Sequence, residues 1–214
     1  MFQTAVETAS RAAANLDAIV TFGIEPTFPS TGYGYIDYVS DSEELFNGSK
    51  VYRVEQFKEK PDRATAEQYL NNGGYLWNSG MFFWSAKRIL QEVERYMPKL
   101  HKGIQNMGQV AQEHGWSEAM EEYYGTLPSQ SVDYGILERS DRVWTLPVSF
   151  DWNDLGTWDA IAETFDANED GNVILADSET VESSDSVVVS DTDHFIGTVG
   201  VDDVIVVHTE DATL

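Results

Sequence analysis

The sequence predicts an α/β protein built on a mixed sheet, with a small all-β appendage at the C-terminus. Three observations carry this. Apolar positions from Phe2 to Leu16 recur at helical spacing and run straight into an apolar, β-branched stretch, Ala18 to Ile24. Helix followed by buried strand is the grammar of α/β folds. Helix and strand signals then alternate as far as Phe165. After Asp166 the helical period disappears, and short β runs are separated by Asp, Ser, Thr and Gly. The expected organisation is a main part over residues 1–168 and a small β-rich segment over 169–214.

Each element has its own local reason. The first helix places Phe2, Val6, Ala9, Ala13 and Leu16 on one side. The strand "AIVTFGI" is closed by Pro26 and Pro29. "VYRVEQFKEKP" alternates Val51, Arg53, Glu55 and Phe57 against Tyr52, Val54, Gln56 and Lys58, a strand stopped by Pro61. Thr65 to Asn72 forms a short helix closed by Gly73. Ala86 to Met97 is amphipathic, with Ile89, Leu90, Val93 and Met97 inward, and ends before Pro98. "RVWTLPVSF" is a further strand, and Trp158, Ile161, Ala162 and Phe165 set a last helix. Short β runs follow at Val173–Leu175, Val187–Val189 and Val204–Val207.

Composition narrows the functional classes. At 214 residues, with 42% hydrophobic and 12% aromatic content, the chain can bury a core and is not a disordered segment. No apolar run approaches the ~20 residues of a membrane span. The N-terminus has no basic region followed by an apolar one, so no signal peptide is expected. Zero cysteines exclude disulfides and thiolate metal sites; the expected location is the cytoplasm. Thirteen Lys plus Arg against 37 Asp plus Glu give a formal charge of −24. That field argues against nucleic acid and anionic membranes as partners. The expectation is a host with a salty interior, where the Debye length falls to ~3 Å at 1 M, and the alternative is an ordinary acidic protein.

Four polar interruptions stand at strand ends, where ligands bind in α/β sheets. In "PSTGYGYI", Gly32 and Gly34 serve either a turn or the close approach of a ligand to the backbone. In "FKEKP", Glu59 and Lys60 sit against Pro61, as a solvated strand end or as a carboxylate for sugar hydroxyls beside an ammonium for phosphate. In "GGYLWNSGMFFW", Asn78 interrupts an aromatic strand, so its amide is either bonded within the protein or faces a ligand. In "FDWNDLGTWDAI", Asp151, Asp154 and Asp159 gather at a helix start. They are caps, or Asp154 turns outward to a hard cation such as Mg²⁺. His101, His114, His194 and His208 show no metal-ligand spacing, and no Ser-His-Asp or Cys-His nucleophile is visible.

Taken in order, "VTFGIEPTFPSTGYGYI", "FKEKPD", "GGYLWNSGMFFW", "SVDYGILE" and "WNDLGTW" resemble the sugar-1-phosphate nucleotidylyltransferases over nearly the whole chain. The spelling is most similar to the mannose-1-phosphate guanylyltransferase family. The resemblance implies a Rossmann-like nucleotidyltransferase fold, mannose 1-phosphate and GTP as substrates, and Mg²⁺ as cofactor. It implies sugar contacts from the Gly34 backbone, Glu59 and Asn78, and a phosphate contact from Lys60. Asp154 matches one of two metal-binding aspartates, making Lys60 and Asp154 the catalytic pair, and Asp133 lines or braces the same pocket. The alternatives are another sugar-1-phosphate nucleotidylyltransferase, such as a glucose-1-phosphate thymidylyl- or uridylyltransferase, or a non-catalytic sugar-phosphate-binding regulatory paralogue.

The family's Gly-rich signature with its Arg and Lys, and its first metal-binding Asp, have no counterpart in these residues. The expectation is therefore a fragment that carries the sugar-phosphate half, lacks the N-terminal nucleotide-binding part, and is inactive alone. An incompletely covered sheet would suit a homodimer.

Overall fold

A computed structural model describes residues 1–214, except for the side chains of Asp159 and Glu163. The chain divides into two compact units, Met1–Phe150 and Asp151–Leu214. The boundary expected at residue 168 falls within the second unit, because the helix preceding it packs on a strand of that unit.

The first unit begins with α1 (Phe2–Leu16), which ends at Asp17 in left-handed conformation, and β1 (Ile19–Ile24). There follow β2 (Tyr35–Tyr38), β3 (Glu44–Phe46), β4 (Ser49–Lys58), α2 (Arg63–Asn72) and β5 (Tyr75–Phe83). Three consecutive helices come next, α3 (Ala86–Tyr96), α4 (Pro98–His114) and α5 (Trp116–Tyr123). A π-helical turn, Asp133–Leu137, leads into β6 (Val143–Val148). Asp62 and Ser85 cap α2 and α3 through side-chain bonds to the N–H groups of Thr65 and Arg88. Pro98 does stop α3, yet it also opens α4 at a position where its missing N–H costs nothing.

The sheet runs β2-β5-β1-β6-β4-β3. It is mixed: β1 and β6 are parallel, whereas β5 runs antiparallel to β1 and β4 antiparallel to β6. All six residues of β1 are buried, as expected for a strand covered on both faces. On one face Ile19, Ile36, Val54, Phe57 and Leu76 pack with Val93 and Met97 of the helical layer. On the other, Val20, Phe22, Val51 and Leu146 pack under Ala9, Ala12 and Ala13 of α1.

The strict alternation expected for β4 does not hold. Asp37 pairs with Gln56 but Tyr38 pairs with Val54, so Glu55 is an extra residue on β4. A bulge of this kind reverses which face later side chains take. Val51 accordingly lies on the α1 face while Val54 and Phe57 both lie on the other. The bulge also lets β4 serve β6 with its first half and β2 with its second.

In the second unit, α6 (Trp158–Thr164) packs on β9, the middle of three parallel strands β7 (Val173–Leu175), β9 (Val187–Ser190) and β11 (Ile205–His208). A second parallel pair joins β8 (Ser178–Val181) and β10 (Ile196–Val199). Strand thus stacks on strand as successive coils, with Ser184 bonding Asp202 and the N–H of Val201 donating to Ser183 across an 18-residue repeat. The amide of Asn172 braces a corner, donating to the Ser183 carbonyl at 2.8 Å and accepting from the Ser186 N–H at 3.0 Å. No helix among the described residues is long and apolar enough to cross a membrane.

Candidate functional site

Gly34 immediately precedes β2, and its carbonyl accepts from the N–H of Asn78 at 2.7 Å. A Cβ at position 34 would lie 2.5 Å from Glu59 Oε2, 3.1 Å from Phe57 Cζ and 3.3 Å from Asn78 Cβ. Glycine is there because three neighbours leave no room for a side chain. The same distances bring Gly34, Glu59 and Asn78 to one point.

Glu59 and Lys60 follow the last residue of β4. The Glu59 N–H donates to Glu138 Oε1 at 3.0 Å, and the Lys60 N–H to the Tyr33 carbonyl at 3.2 Å. Lys60 is held at φ 45°, a left-handed conformation that costs a non-glycine residue of order 1 kcal/mol and is concentrated at functional sites. Its ammonium is 3.8 Å from Glu59 Oε1, with 57% of the side chain exposed against 11% for Glu59.

Glu59 is the electrostatic centre of this group. Its Oε2 is buried and has no hydrogen-bond partner. Burial pushes its carboxyl above the usual carboxylate range, the charge of Asp133 pushes it further, the Lys60 ammonium pulls it back, and Glu138 adds a smaller push upward. A buried acceptor without a donor is rare in folded proteins. A ligand hydroxyl is a donor of the right kind.

Asn78 is bonded within the protein at both ends of its amide. Between Thr21↔Phe82 and Gly23↔Asn78 the β1–β5 ladder skips, leaving extra residues on β5 around Gly80, which sits at φ 73°. The Asn78 Oδ1 accepts from the Thr21 hydroxyl at 2.8 Å and from the Gly80 N–H at 3.3 Å. Its Nδ2 donates to Asp133 Oδ1 at 3.4 Å. The oxygen of Asn78 thus braces the irregular strand. Beside it, Phe28 and Tyr33 set their rings against Trp77 at centroid distances of 4.9 and 5.1 Å.

Asp154 lies in the second unit. Its Oδ1 accepts from the Gly156 N–H at 3.1 Å, and Leu155 between them is left-handed at φ 49°. Among the described residues no cluster of three metal-ligating side chains occurs. A carboxylate such as that of Asp154 is the kind of donor that Mg²⁺ takes, since this ion is usually bound through one or two carboxylates plus waters and substrate phosphates. The Asp159 side chain lies outside the described residues.

Two residues that sequence reasoning missed belong to this group: Thr21, fully buried, and Glu138, which also stands 3.8 Å from Lys58 Nζ. Thr21 had a signal, a hydroxyl in the apolar run "AIVTFGI". Grooves of about 280 and 290 Å³ lie elsewhere in the first unit, lined by α1 with Phe82–Ser85 and by α1 with Leu146–Phe150.

The family model described as nucleotidyl transferase matches residues 1–171. A xanthan biosynthesis protein, XanB, of Xanthomonas campestris is 35% identical over 214 residues, covering all of this chain and 44% of that protein. A mannose-1-phosphate guanylyltransferase of Escherichia coli K12 is 37% identical over 199 residues, covering 92% of this chain and 41% of the relative. The chain therefore spans less than half the length of these curated relatives. Among solved structures, one from Thermus thermophilus, described as a mannose-1-phosphate geranyltransferase, superposes with a TM-score of 0.76 at 30% identity, over 100% of this chain and 59% of that one.

Proposed function

Because the chain belongs to the nucleotidyl transferase family, we propose that its first unit binds mannose 1-phosphate for transfer of GMP from GTP, within a whole protein that makes GDP-mannose and pyrophosphate. The observation that carries this reading is the buried, unpartnered Glu59 Oε2 beside the exposed Lys60 ammonium. It offers an acceptor for sugar hydroxyls and a charge for phosphate at one place. The names of the Escherichia coli and Thermus relatives support the same sugar.

In this reaction a phosphate oxygen of mannose 1-phosphate attacks the α-phosphorus of GTP, the bond to the bridging oxygen of the β-phosphate breaks, and pyrophosphate leaves. Such chemistry asks a protein mainly for positioning and charge neutralisation. Glu59 and the Asn78 amide orient the sugar, and Lys60 holds the attacking phosphate. Asp154 would be one ligand of a Mg²⁺ ion, which when bound offsets charge on the nucleotide phosphates. Calorimetric titration of the 214-residue chain with mannose 1-phosphate tests the reading. It should bind, and glucose 1-phosphate should bind more weakly. A chain that takes up neither overturns it.

A further inference from the structure

We propose that Thr21 is a positioning residue for sugar recognition: its hydroxyl clamps in place the Asn78 amide, whose way round Gly80 and Asp133 set, so that Asn78 offers a hydrogen-bond donor to the sugar. The inference rests on the sugar-phosphate reading above and adds to it the direction of one contact.

Thr21 is fully buried in β1, among the apolar Ile19, Val20 and Phe22. Thr21 and Gly23 share one face of β1, and Asn78 stands opposite Gly23. Thr21 is therefore the diagonal neighbour of Asn78, within reach across the strand pair. The contact it makes is the shortest the amide has, 2.8 Å, against 3.3 Å from the Gly80 N–H and 3.4 Å to Asp133.

The orientation follows from what each partner can do. A backbone N–H only donates, so the atom facing Gly80 is the amide oxygen. An ionised carboxylate only accepts, so the atom facing Asp133 is the nitrogen. The Thr21 hydroxyl then gives the oxygen its second donor and fills its capacity. What is left to a ligand is the second Nδ2 hydrogen. With Glu59 accepting and Asn78 donating, the two contacts have opposite polarity. A sugar hydroxyl, donor and acceptor at once, can satisfy both. Without Thr21 the amide is held only by its two longer bonds, and it swings away from the position in which its second Nδ2 hydrogen meets the sugar.

The experiment compares Thr21→Val and Thr21→Ala, which remove the hydroxyl with different shapes, with Thr21→Ser, which keeps it. Mannose 1-phosphate should bind about tenfold more weakly to the first two, and Thr21→Ser should restore binding to within about twofold. Affinity for inorganic phosphate, read at Lys60, should be the same in all four proteins. In the sugar-free protein, the two Asn78 side-chain amide proton signals should shift in Thr21→Val and Thr21→Ala and stay in place in Thr21→Ser. Unmoved Asn78 signals in the valine and alanine proteins, or equal losses of binding in serine and valine, would overturn the assignment. A parent chain that binds no sugar phosphate sinks the underlying reading instead, and the Asn78 signals then still decide what Thr21 does.

Discussion

Oxygen Oε2 of Glu59 stands 2.5 Å from where the Cβ of any residue other than glycine would lie at position 34. A methyl group there must displace the carboxylate, which is the movable end of a side chain, or Phe57, which is not. Gly34→Ala should therefore weaken mannose 1-phosphate binding by about tenfold or more. The fold should survive, because the side chain that yields is not part of the apolar core. Calorimetry and thermal melting of the same protein check the two halves, and a variant that binds normally would show that Glu59 does not touch the sugar.

Ionised Glu59 is a cost to the folded state. Its carboxyl is held above the ordinary range by burial first and by Asp133 next. A carboxyl raised in this way stabilises the fold in its protonated form; that contribution is present below the unfolded value and is lost as pH rises through the folded one. Glu59→Gln should accordingly raise the melting temperature at about pH 7, and the gain should shrink as pH falls and vanish well below the ordinary carboxylate range, where the glutamate is neutral in both the folded and the unfolded chain. Sugar-phosphate binding at neutral pH should fall in the same variant. A lower melting temperature at neutral pH would contradict the assigned electrostatics.

Lys60 combines an exposed charge with a left-handed backbone. Lys60→Ala should raise the dissociation constant for mannose 1-phosphate more than about tenfold, since a charge-assisted contact is worth roughly 1.5–3 kcal/mol. Lys60→Gly should lose binding equally while melting at a higher temperature than Lys60→Ala, because glycine adopts this conformation without strain. Equal melting temperatures would mean that the backbone conformation is not costly.

For Asp154, the expected outcome concerns metal. Manganese(II) added with GDP-mannose should give a bound electron paramagnetic resonance signal in the parent protein and a diminished one in Asp154→Asn. An unchanged signal would remove Asp154 from the metal site.

The charge of −24 leads to a salt prediction. Compaction concentrates like charges, and screening relieves their repulsion. The melting temperature should climb as KCl rises from tens of millimolar toward the molar range. Sucrose, which strengthens burial without screening, should reproduce only part of the rise. A melting temperature flat in KCl would leave the acidity unrelated to salt.

What could be read from the sequence followed from local physics. α1, β1, α3 and β6 each carry an apolar period or a β-branched run long enough to declare itself, and Gly73 and the stop at Pro98 mark helix ends. The convergence of Gly34, Glu59 and Asn78 was legible only through the family resemblance, because each polar strand end taken alone serves equally as a turn, a solvated terminus or an amide bonded within the protein. Strand β2 was not legible: Tyr35–Tyr38 is four residues long, and only its pairing with both β4 and β5 makes it a strand. Helix α4 buries no residue fully, so its sequence lacks a strong apolar stripe. The bulge at Glu55 and the skip near Gly80 are properties of paired strands, and a single strand's alternation cannot announce them. Glu138 is distant in sequence from Glu59 and meets it only through the fold.

The coils of the second unit have a consequence for how damage spreads. Each strand of the ladder β7, β9, β11 touches only the next, which makes this part of the molecule effectively one-dimensional. In such a stack the loss of one rung weakens its two neighbours and leaves the rest nearly intact, so failure frays inward instead of collapsing the whole at once. Amide protons of β9, clasped on both sides, should exchange most slowly, with β7 and β11 faster on either flank. A lesion in the sheet of the first unit, where β1 and β4 each bind several partners, has no such local outlet and must be felt throughout.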